Sequence, residues 1–181
     1  IQDIRRFSGS IVPRQQFVVA PKVAGRLETL LVNIGDTVAN GDLVARLDDQ
    51  EYRQQVEEAR AALEVARAIV SDTAGARDLA QRDFDRVQAL VAEKVASEAE
   101  LDQARAHLLA AQARHDVALA QIRQNEAALK ASEVRLSYTE IRAAWEGENG
   151  VRVVGERFVD EGAMLKANEP IVSILDIQTV L

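Results

Sequence analysis

The chain has 181 residues, of which 48% are hydrophobic, 28% charged and 4% aromatic, and its formal net charge is −7. Acids and bases are interleaved without a block of five like charges, which argues against a nucleic-acid surface, and no apolar stretch is long enough to span a membrane. Cysteine is absent, which excludes disulfides and thiolate chemistry, and thirty alanines indicate a thin core of the kind that two closely packed helices share.

The first predicted element is a β-rich flank over residues 17–50. Its stretch VNIGDTVANGDLVARL alternates short β-branched runs with glycine turns, which is typical of small strands in a sandwich or barrel. One flank has too few strands to cover an apolar face, so we expect it to need a partner elsewhere in the chain.

A long helical segment is predicted over residues 51–136. It contains no proline and only one glycine, Gly75, whereas the other eight glycines and all three prolines lie in the flanks. Residues with alternating spacings of four and three form the heptad pattern of a coiled-coil seam. In the first half this seam runs through Tyr52, Val56, Ala59, Leu63, Ala66, Val70, Thr73, Arg77, Ala80, Phe84, Val87 and Val91.

A bend is predicted between two halves of this helical segment. Ser97 with Glu100 three residues later is a capping box, so the second helix is predicted to begin at about Glu98. Two seams of equal length predict an antiparallel hairpin with arms about 60 Å long. The second seam runs through Leu101, Ala104, Leu108, Ala111, His115, Ala118, Ile122, Asn125, Leu129, Ser132 and Leu136.

Three seam positions midway along the hairpin are polar: Thr73, Arg77 and His115. If the bend centres near residue 95, Arg77 and His115 lie at similar heights. One interpretation is a polar layer that fixes the register of the coiled coil, and the other is a regulatory site built around the histidine.

The second β-rich flank repeats the first with an offset of 127 residues. The stretch VDEGAMLKANEPIVSI follows the pattern of VNIGDTVANGDLVARL, so an internal repeat is split by the hairpin. The residues Val32, Gly35, Val38, Val44 and Leu47 correspond to Val159, Gly162, Leu165, Ile171 and Ile174.

This order of segments resembles the membrane fusion proteins, the HlyD-like periplasmic adaptors of tripartite efflux pumps, and is most similar to the resistance-nodulation-division type. The resemblance rests on VAGRLETLLVNIGDTVANGDLVARLD, the alanine-rich hairpin, LSYTEIRA and VDEGAMLKANEPIVSILD. It implies an α+β fold in which the two split β halves close into a lipoyl-like barrel-sandwich hybrid, with the antiparallel coiled-coil hairpin inserted between them.

The resemblance also implies a division of the chain into five parts. The two halves of the lipoyl-like domain are expected at 17–50 and 137–175, with the hairpin at 51–136. Residues 1–16 are expected to hold a partial β-barrel strand and a linker, and residues 176–181 to begin a further β-barrel domain. Trp145 follows Ala143 and Ala144, where the family has Ala-Pro. It is expected to form a lid over the sandwich, and the alternative is an exposed contact.

At the hairpin turn the resemblance assigns a docking role to Arg86, Leu90 and Ser97. Adaptors that dock on TolC-like outer-membrane channels carry arginine, leucine and serine at this spacing. Arginine offers fixed donors, leucine fills an apolar groove and serine exposes a hydroxyl. The alternative is that Leu90 packs within the hairpin, Arg86 is a solvated charge and Ser97 only caps the helix.

The function implied by the resemblance is that of a periplasmic adaptor. It links an inner-membrane transporter to a TolC-like channel for export of small molecules, and several copies surround one axis as a homo-oligomer. An adaptor of an ATP-driven (ABC-type) exporter or of a type I secretion system is the alternative. Because the chain begins with Ile1, a preceding segment is expected to carry an address or an inner-membrane anchor.

Enzymatic readings receive no support from the motifs. There is no Gly-x-Ser-x-Gly and no phosphate loop, and GENGVRVVG lacks the strand-then-helix setting of a dinucleotide site. His107 and His115 are eight residues apart on one helix, too far to chelate a metal. No catalytic residue, metal site or cofactor is therefore predicted.

The alternative from another class is a lipoyl- or biotinyl-type carrier domain of an enzyme complex, because such domains share the sandwich. They present the modified lysine on the turn that joins the two halves. Here a coiled coil fills that junction, and Lys22, Lys94, Lys130 and Lys166 are not in such a turn.

Overall fold

A computed structural model of the protein describes residues 13–145 and 150–180. The described residues divide into two compact units, one formed by the chain up to Tyr52 together with the chain from Val134, and the other by residues 53–133. The strand predicted within residues 1–12 lies outside the described residues. No helix in the described part of the chain has a segment apolar and long enough to cross a membrane.

The order of the elements is the one that the composition predicts: four short strands, two long helices and four more strands. The strands are β1 (Pro13–Val19), β2 (Gly25–Leu30), β3 (Thr37–Val38), β4 (Leu43–Leu47), β5 (Glu140–Arg142), β6 (Arg152–Arg157), β7 (Met164–Leu165) and β8 (Val172–Val180). The helices are α1 (Gln50–Ala92) and α2 (Glu98–Ser137).

The described strands form two antiparallel sheets, in the orders β1-β8-β6-β3 and β5-β4-β2-β7. Each sheet takes two strands from the flank before the helices and two from the flank after them. The short strands make this exchange, since β3 pairs with β6 and β7 pairs with β2. Neither flank alone can complete a sheet, which confirms the predicted split sandwich.

The internal repeat is visible as a pseudo-twofold set of backbone hydrogen bonds. The Leu27 N–H donates to the Ala163 carbonyl at 2.8 Å, and the Val154 N–H donates to the Asp36 carbonyl at 2.9 Å. Each atom of the first bond has its equivalent 127 positions along the chain in the second. The predicted repeat is therefore a repeat of structure.

Two glycines at equivalent turns explain part of this repeat. Gly35 has φ 91° and Gly162 has φ 87°, values that disfavour side chains with a Cβ. Added Cβ atoms would meet no other atom within 4 Å, so the backbone conformation, rather than crowding, selects glycine.

The core of the β unit lies between the sheets and draws on both flanks. Full burial of each aliphatic side chain contributes about 1.5–3 kcal/mol. The largest fully buried aliphatic side chains are Leu27, Val44 and Leu47 from the first flank, and Val154, Leu165, Ile171, Val172 and Ile174 from the second.

Trp145 covers one side of this core, as predicted for a lid. Its side chain is 8% exposed, and the Arg152 guanidinium lies 4.6 Å from its ring centroid and 4.2 Å from that of Phe17. A carboxylate oxygen of Asp176 lies 3.8 Å from Arg152. The buried cation is thus stabilised by two aromatic faces and an acid, an arrangement that sequence reasoning did not predict.

β1 begins at Pro13, ahead of residue 17 where the sandwich was predicted to start. Gln15 and Gln16 are paired with Asp176 and Leu175 of β8. The assignment of residues 1–16 and 176–181 to a further β-barrel domain stays a prediction.

The hairpin unit has the predicted seam. Every predicted seam position in α1 and α2 is buried or half-buried. Across the seam, the Asn125 side-chain amide donates to the Ala62 carbonyl at 3.2 Å and Thr73 contacts His115. Facing residues therefore have numbers that add up to about 188, which centres the hairpin at residue 94. The most buried seam residues are Val56, Leu63 and Ala66 of α1 and Ala104, Leu108, Ala111 and Ala118 of α2.

Candidate docking site at the hairpin turn

The first helix ends in a Schellman motif. The Lys94 N–H donates to the Val91 carbonyl and the Val95 N–H donates to the Leu90 carbonyl, both at 2.9 Å. These are the two bonds that define the motif, and Lys94, with φ 60°, occupies the left-handed position that glycine usually takes. The motif satisfies carbonyls that the end of α1 would otherwise leave without partners.

The second helix begins in the predicted capping box. The Ser97 N–H and hydroxyl donate to a Glu100 carboxylate oxygen at 2.7 and 2.9 Å, and the Glu100 N–H donates back to the Ser97 hydroxyl at 3.3 Å. The two bonds from Ser97, the backbone one first, lower the pKa of Glu100. The stabilisation from these two bonds is therefore fully present above the ordinary pKa of a glutamate and is lost as the pH falls through the lowered value.

A groove of roughly 330 Å³ lies beside this turn and contains two of the three predicted docking residues. Arg86 and Leu90 both line it, whereas Ser97 is exposed next to it and is linked to it through Glu100. The lining residues are Asp83, Arg86, Val87, Leu90, Ala96, Glu100, Gln103, Ala104 and His107.

Arg86 and Leu90 differ in their exposure to solvent. The Arg86 side chain is exposed and forms an ion pair with Asp83 one turn earlier. Leu90 was expected to be free to face a partner, but it is half-buried and forms part of the groove wall with Val87 and Ala104. Its position beside the seam shelters one side of the leucine.

The groove combines an apolar wall with an ionic rim. Leu90, Val87 and Ala104 form the wall, while Arg86 and Glu100 supply charges of both signs. Such a surface suits a protein segment with an apolar residue and polar neighbours. The described residues hold no group of three or more His, Asp or Glu placed to bind a metal.

Sequence reasoning missed the contributions of α2 to this groove and the form of the turn. Glu100 and His107 line the groove because they are seven residues apart on one face of α2, a spacing visible in the sequence. The left-handed Lys94 had no signal, because glycine or asparagine would normally mark such a position.

The polar layer in the middle of the seam pairs different residues from those expected. The Nδ1 of His115 lies 3.2 Å from the Thr73 hydroxyl, which also contacts the Ile69 carbonyl at 2.9 Å. Arg77 instead forms hydrogen bonds with the adjacent Asp78, and these lower the pKa of the Asp78 carboxyl. The role of Arg77 and His115 in fixing the register stays a prediction.

Changing Arg77 and His115 together to leucine is expected to raise the melting temperature of the hairpin and to allow more than one helix alignment. Apolar seam residues add stability but specify the register less well than polar ones. Thermal unfolding with size-exclusion light scattering would measure both effects. Arg82→Leu, at an exposed position outside the seam, is the matched control. A lower melting temperature with one oligomeric state would show that the two residues do not act on register.

Comparison with known proteins identifies the domain family of the chain. A sequence profile for the barrel-sandwich hybrid domain of RND membrane fusion proteins (RND MFP) matches residues 15–177. The macrolide export protein MacA of Yersinia pestis is 35% identical over 130 residues, which cover 72% of this chain and 35% of MacA. The pyoverdine export membrane fusion protein PvdR of Pseudomonas aeruginosa is 32% identical over 139 residues, 77% of this chain and 36% of PvdR. The chain spans about a third of the length of these relatives.

A solved structure has the same architecture. The crystal structure of MacA from Actinobacillus actinomycetemcomitans matches with a TM-score of 0.85 and 28% identity, covering 95% of this chain and 52% of that one. This match confirms the predicted fold, two split β halves with a long helical hairpin inserted between them.

Proposed function

Because the chain belongs to the membrane fusion proteins of the RND type, we propose that it is part of a periplasmic adaptor linking an inner-membrane transporter to a TolC-like outer-membrane channel. The observation that carries this proposal is the groove at the hairpin turn, where Arg86 and Leu90 lie together. A recognition surface at the turn of two helices about 60 Å long suits a bridging protein.

The relatives support a proposal for the cargo and for the transporter. MacA and PvdR are named as exporters of macrolides and of pyoverdine, which supports a small molecule as the exported substrate. The RND profile favours a transporter of the resistance-nodulation-division type over an ATP-driven one. We place the adaptor in the periplasm, with an anchor in the inner membrane.

The outer faces of the hairpin support assembly of several copies around one axis. α1 exposes the aliphatic side chains of Val65, Ile69 and Leu79, which lie outside the seam. α2 exposes a row of alanines, interrupted by one valine, along its outer face. This row is Ala106, Ala110, Ala113, Val117, Ala120, Ala127 and Ala131.

These two faces fit one another in register. In this arrangement the hairpins run parallel to the axis. Copies related by rotation have no shift along it, so α1 of one copy meets α2 of the next at equal heights. Facing heights have residue numbers that add up to about 188, which places Leu79 opposite the alanines on either side of residue 109. Large side chains of one copy thus meet small ones of its neighbour.

Cysteines introduced at Leu79 and Ala110 are expected to form disulfides between copies. Because these 181 residues contain no cysteine, any bond within this part of the protein must join the introduced residues. The full-length protein without the two substitutions, oxidised in the same way, reports any bond formed elsewhere. Denaturing gels of the oxidised full-length protein should show dimers and larger species. The control pair is Leu79 with Leu109, whose position is rotated about 100° around α2. Equal cross-linking of both pairs, or of neither, would contradict this lateral packing.

The adaptor function itself is tested in the cell that makes the protein. Loss of the gene is expected to make the cell sensitive to at least one toxic small molecule. The intact gene should restore resistance, and a version with residues 53–133 replaced by a short loop should not. If the shortened version restores resistance fully, the hairpin does not bridge the two membranes.

The carrier-domain alternative has a separate readout. A lipoyl or biotinyl carrier would contain a covalently modified lysine. In the described structure Lys22 stacks on Tyr138 at 4.9 Å and Lys130 lies 3.8 Å from Glu133. Intact-mass measurement of the protein from its own cell should show no lipoate or biotin, and a modified lysine would favour the carrier reading.

A further inference from the structure

The backbone conformation of Lys94 is unusual for its residue type. In the described part of the chain, five residues have φ in the left-handed region: Gly35, Gly41, Gly162, Asn168 and Lys94. Glycine has no Cβ to clash, and asparagine tolerates this region better than other residues with a side chain. Lys94 is therefore the one long side chain held in a conformation that costs free energy.

Local contacts do not account for this lysine. The Schellman motif requires only a left-handed residue at this position, and glycine would serve it best. The Lys94 side chain is exposed, and no described carboxylate forms an ion pair with it. By contrast, the nearby Arg86 already has Asp83 as its partner.

The next residue is also presented outwards. An apolar residue one position after the left-handed residue usually packs back on the last turn of the helix, here on Leu90. Val95 is instead 71% exposed, while its N–H is fixed by the bond to the Leu90 carbonyl. The turn therefore holds an unpaired cation and an exposed β-branched side chain side by side in a defined geometry.

We propose that Lys94 and Val95 form a second contact with the outer-membrane channel, in addition to Arg86 and Leu90, a contact that rests on the proposed adaptor function. The recognised feature on the channel is a carboxylate beside an apolar recess. Lys94 supplies the cation that is not already neutralised within the hairpin, and Val95 fills the recess. The strained lysine is kept because docking uses its side chain.

This proposal predicts an unusual pair of effects from one substitution. Lys94→Gly removes both the strain and the cation, so it should raise the melting temperature by about 2–4 °C and weaken channel binding about tenfold. Lys94→Asn, which tolerates the left-handed conformation without a charge, should behave in the same way. Lys94→Arg, which keeps the charge and the strain, should keep wild-type stability and binding.

The experiment uses the full-length protein, with thermal unfolding measured by circular dichroism and binding measured on the purified channel. Val95→Asp tests the apolar contact, and Leu109→Asp is its control because Leu109 is similarly exposed, at 58%, but lies on the helical shaft. Val95→Asp should lose binding and Leu109→Asp should keep it. Wild-type binding of the channel by Lys94→Gly would overturn the proposal. If the wild-type protein itself does not bind the channel, the adaptor function fails first and the proposal fails with it.

Discussion

Replacement of Arg86 by aspartate is expected to abolish export while the protein stays folded at its normal cellular level. The Arg86 side chain is exposed and its ion pair with Asp83 spans one helical turn. Such exposed pairs contribute about 0.2–1 kcal/mol, so their loss is tolerated by the fold. In the groove, however, the substitution removes the cation and places a third carboxylate near Asp83 and Glu100. A channel that recognises the cation would then be repelled.

The measurements are sensitivity to exported toxicants, abundance of the adaptor, and cross-linking to the channel. Arg82→Asp is the matched control, because Arg82 is an exposed arginine one turn earlier that does not line the groove. Normal export by the Arg86 variant, with intact cross-linking, would refute docking through this residue.

The two other predicted docking residues need variants that separate docking from stability. Leu90→Asp should also lose export, but Leu90 is half-buried, so we expect a stability cost of roughly 1–2 kcal/mol. If this variant disappears from the cell, Leu90 acts as a packing residue. Ser97→Asn keeps a good helix cap without adding a charge and removes the hydroxyl, so lost docking with an unchanged melting temperature would assign a role to the hydroxyl itself.

The split sandwich predicts a large difference in folding between the two flanks joined together and one flank alone. A chain in which a short glycine-rich loop replaces residues 53–133 is expected to fold into a stable β unit, whereas the flank before the helices is expected to be unfolded by itself. The physical reason is the strand exchange, since β3 has its partner in β6 and β2 has its outer partner in β7. A lone flank would leave strand edges and core residues such as Leu27 in water.

Trp145 gives a direct readout of this unit, because it is the only tryptophan of the chain and is buried at the core. Its emission should be that of a buried indole in the joined protein, with amide protection in both flanks. Protection confined to one flank would contradict the split sandwich.

The hairpin was the most predictable part of the fold because its signals are local. Heptad spacing identifies each seam position without knowledge of the partner, and the capping box at Ser97 and Glu100 marks the start of α2. The 127-residue repeat likewise indicated that the two flanks share one domain.

Other features depend on contacts between distant residues and left no local signal. β3 and β7 each pair with a strand from the other flank, and both have only two residues, too few for any periodicity to identify. The stacking of Arg152 on Phe17 and Trp145 joins the two flanks of the chain. Arg77 was placed opposite His115, but the histidine faces Thr73. The hairpin is centred at residue 94 and not near residue 95, and this small difference moves the partner of His115 one helical turn along the seam.

The unbroken heptad seam has a consequence for how such chains diverge in evolution. Seven residues added to each helix would lengthen the hairpin by about 10 Å and return every seam position to the same face. The strands within each sheet pair through residues outside the inserted segment, so their pairing does not depend on its length. The length of the hairpin can therefore change in steps of one heptad while the turn and the sandwich keep their sequences, and under the proposed adaptor function such steps would fit the hairpin to cell envelopes of different width.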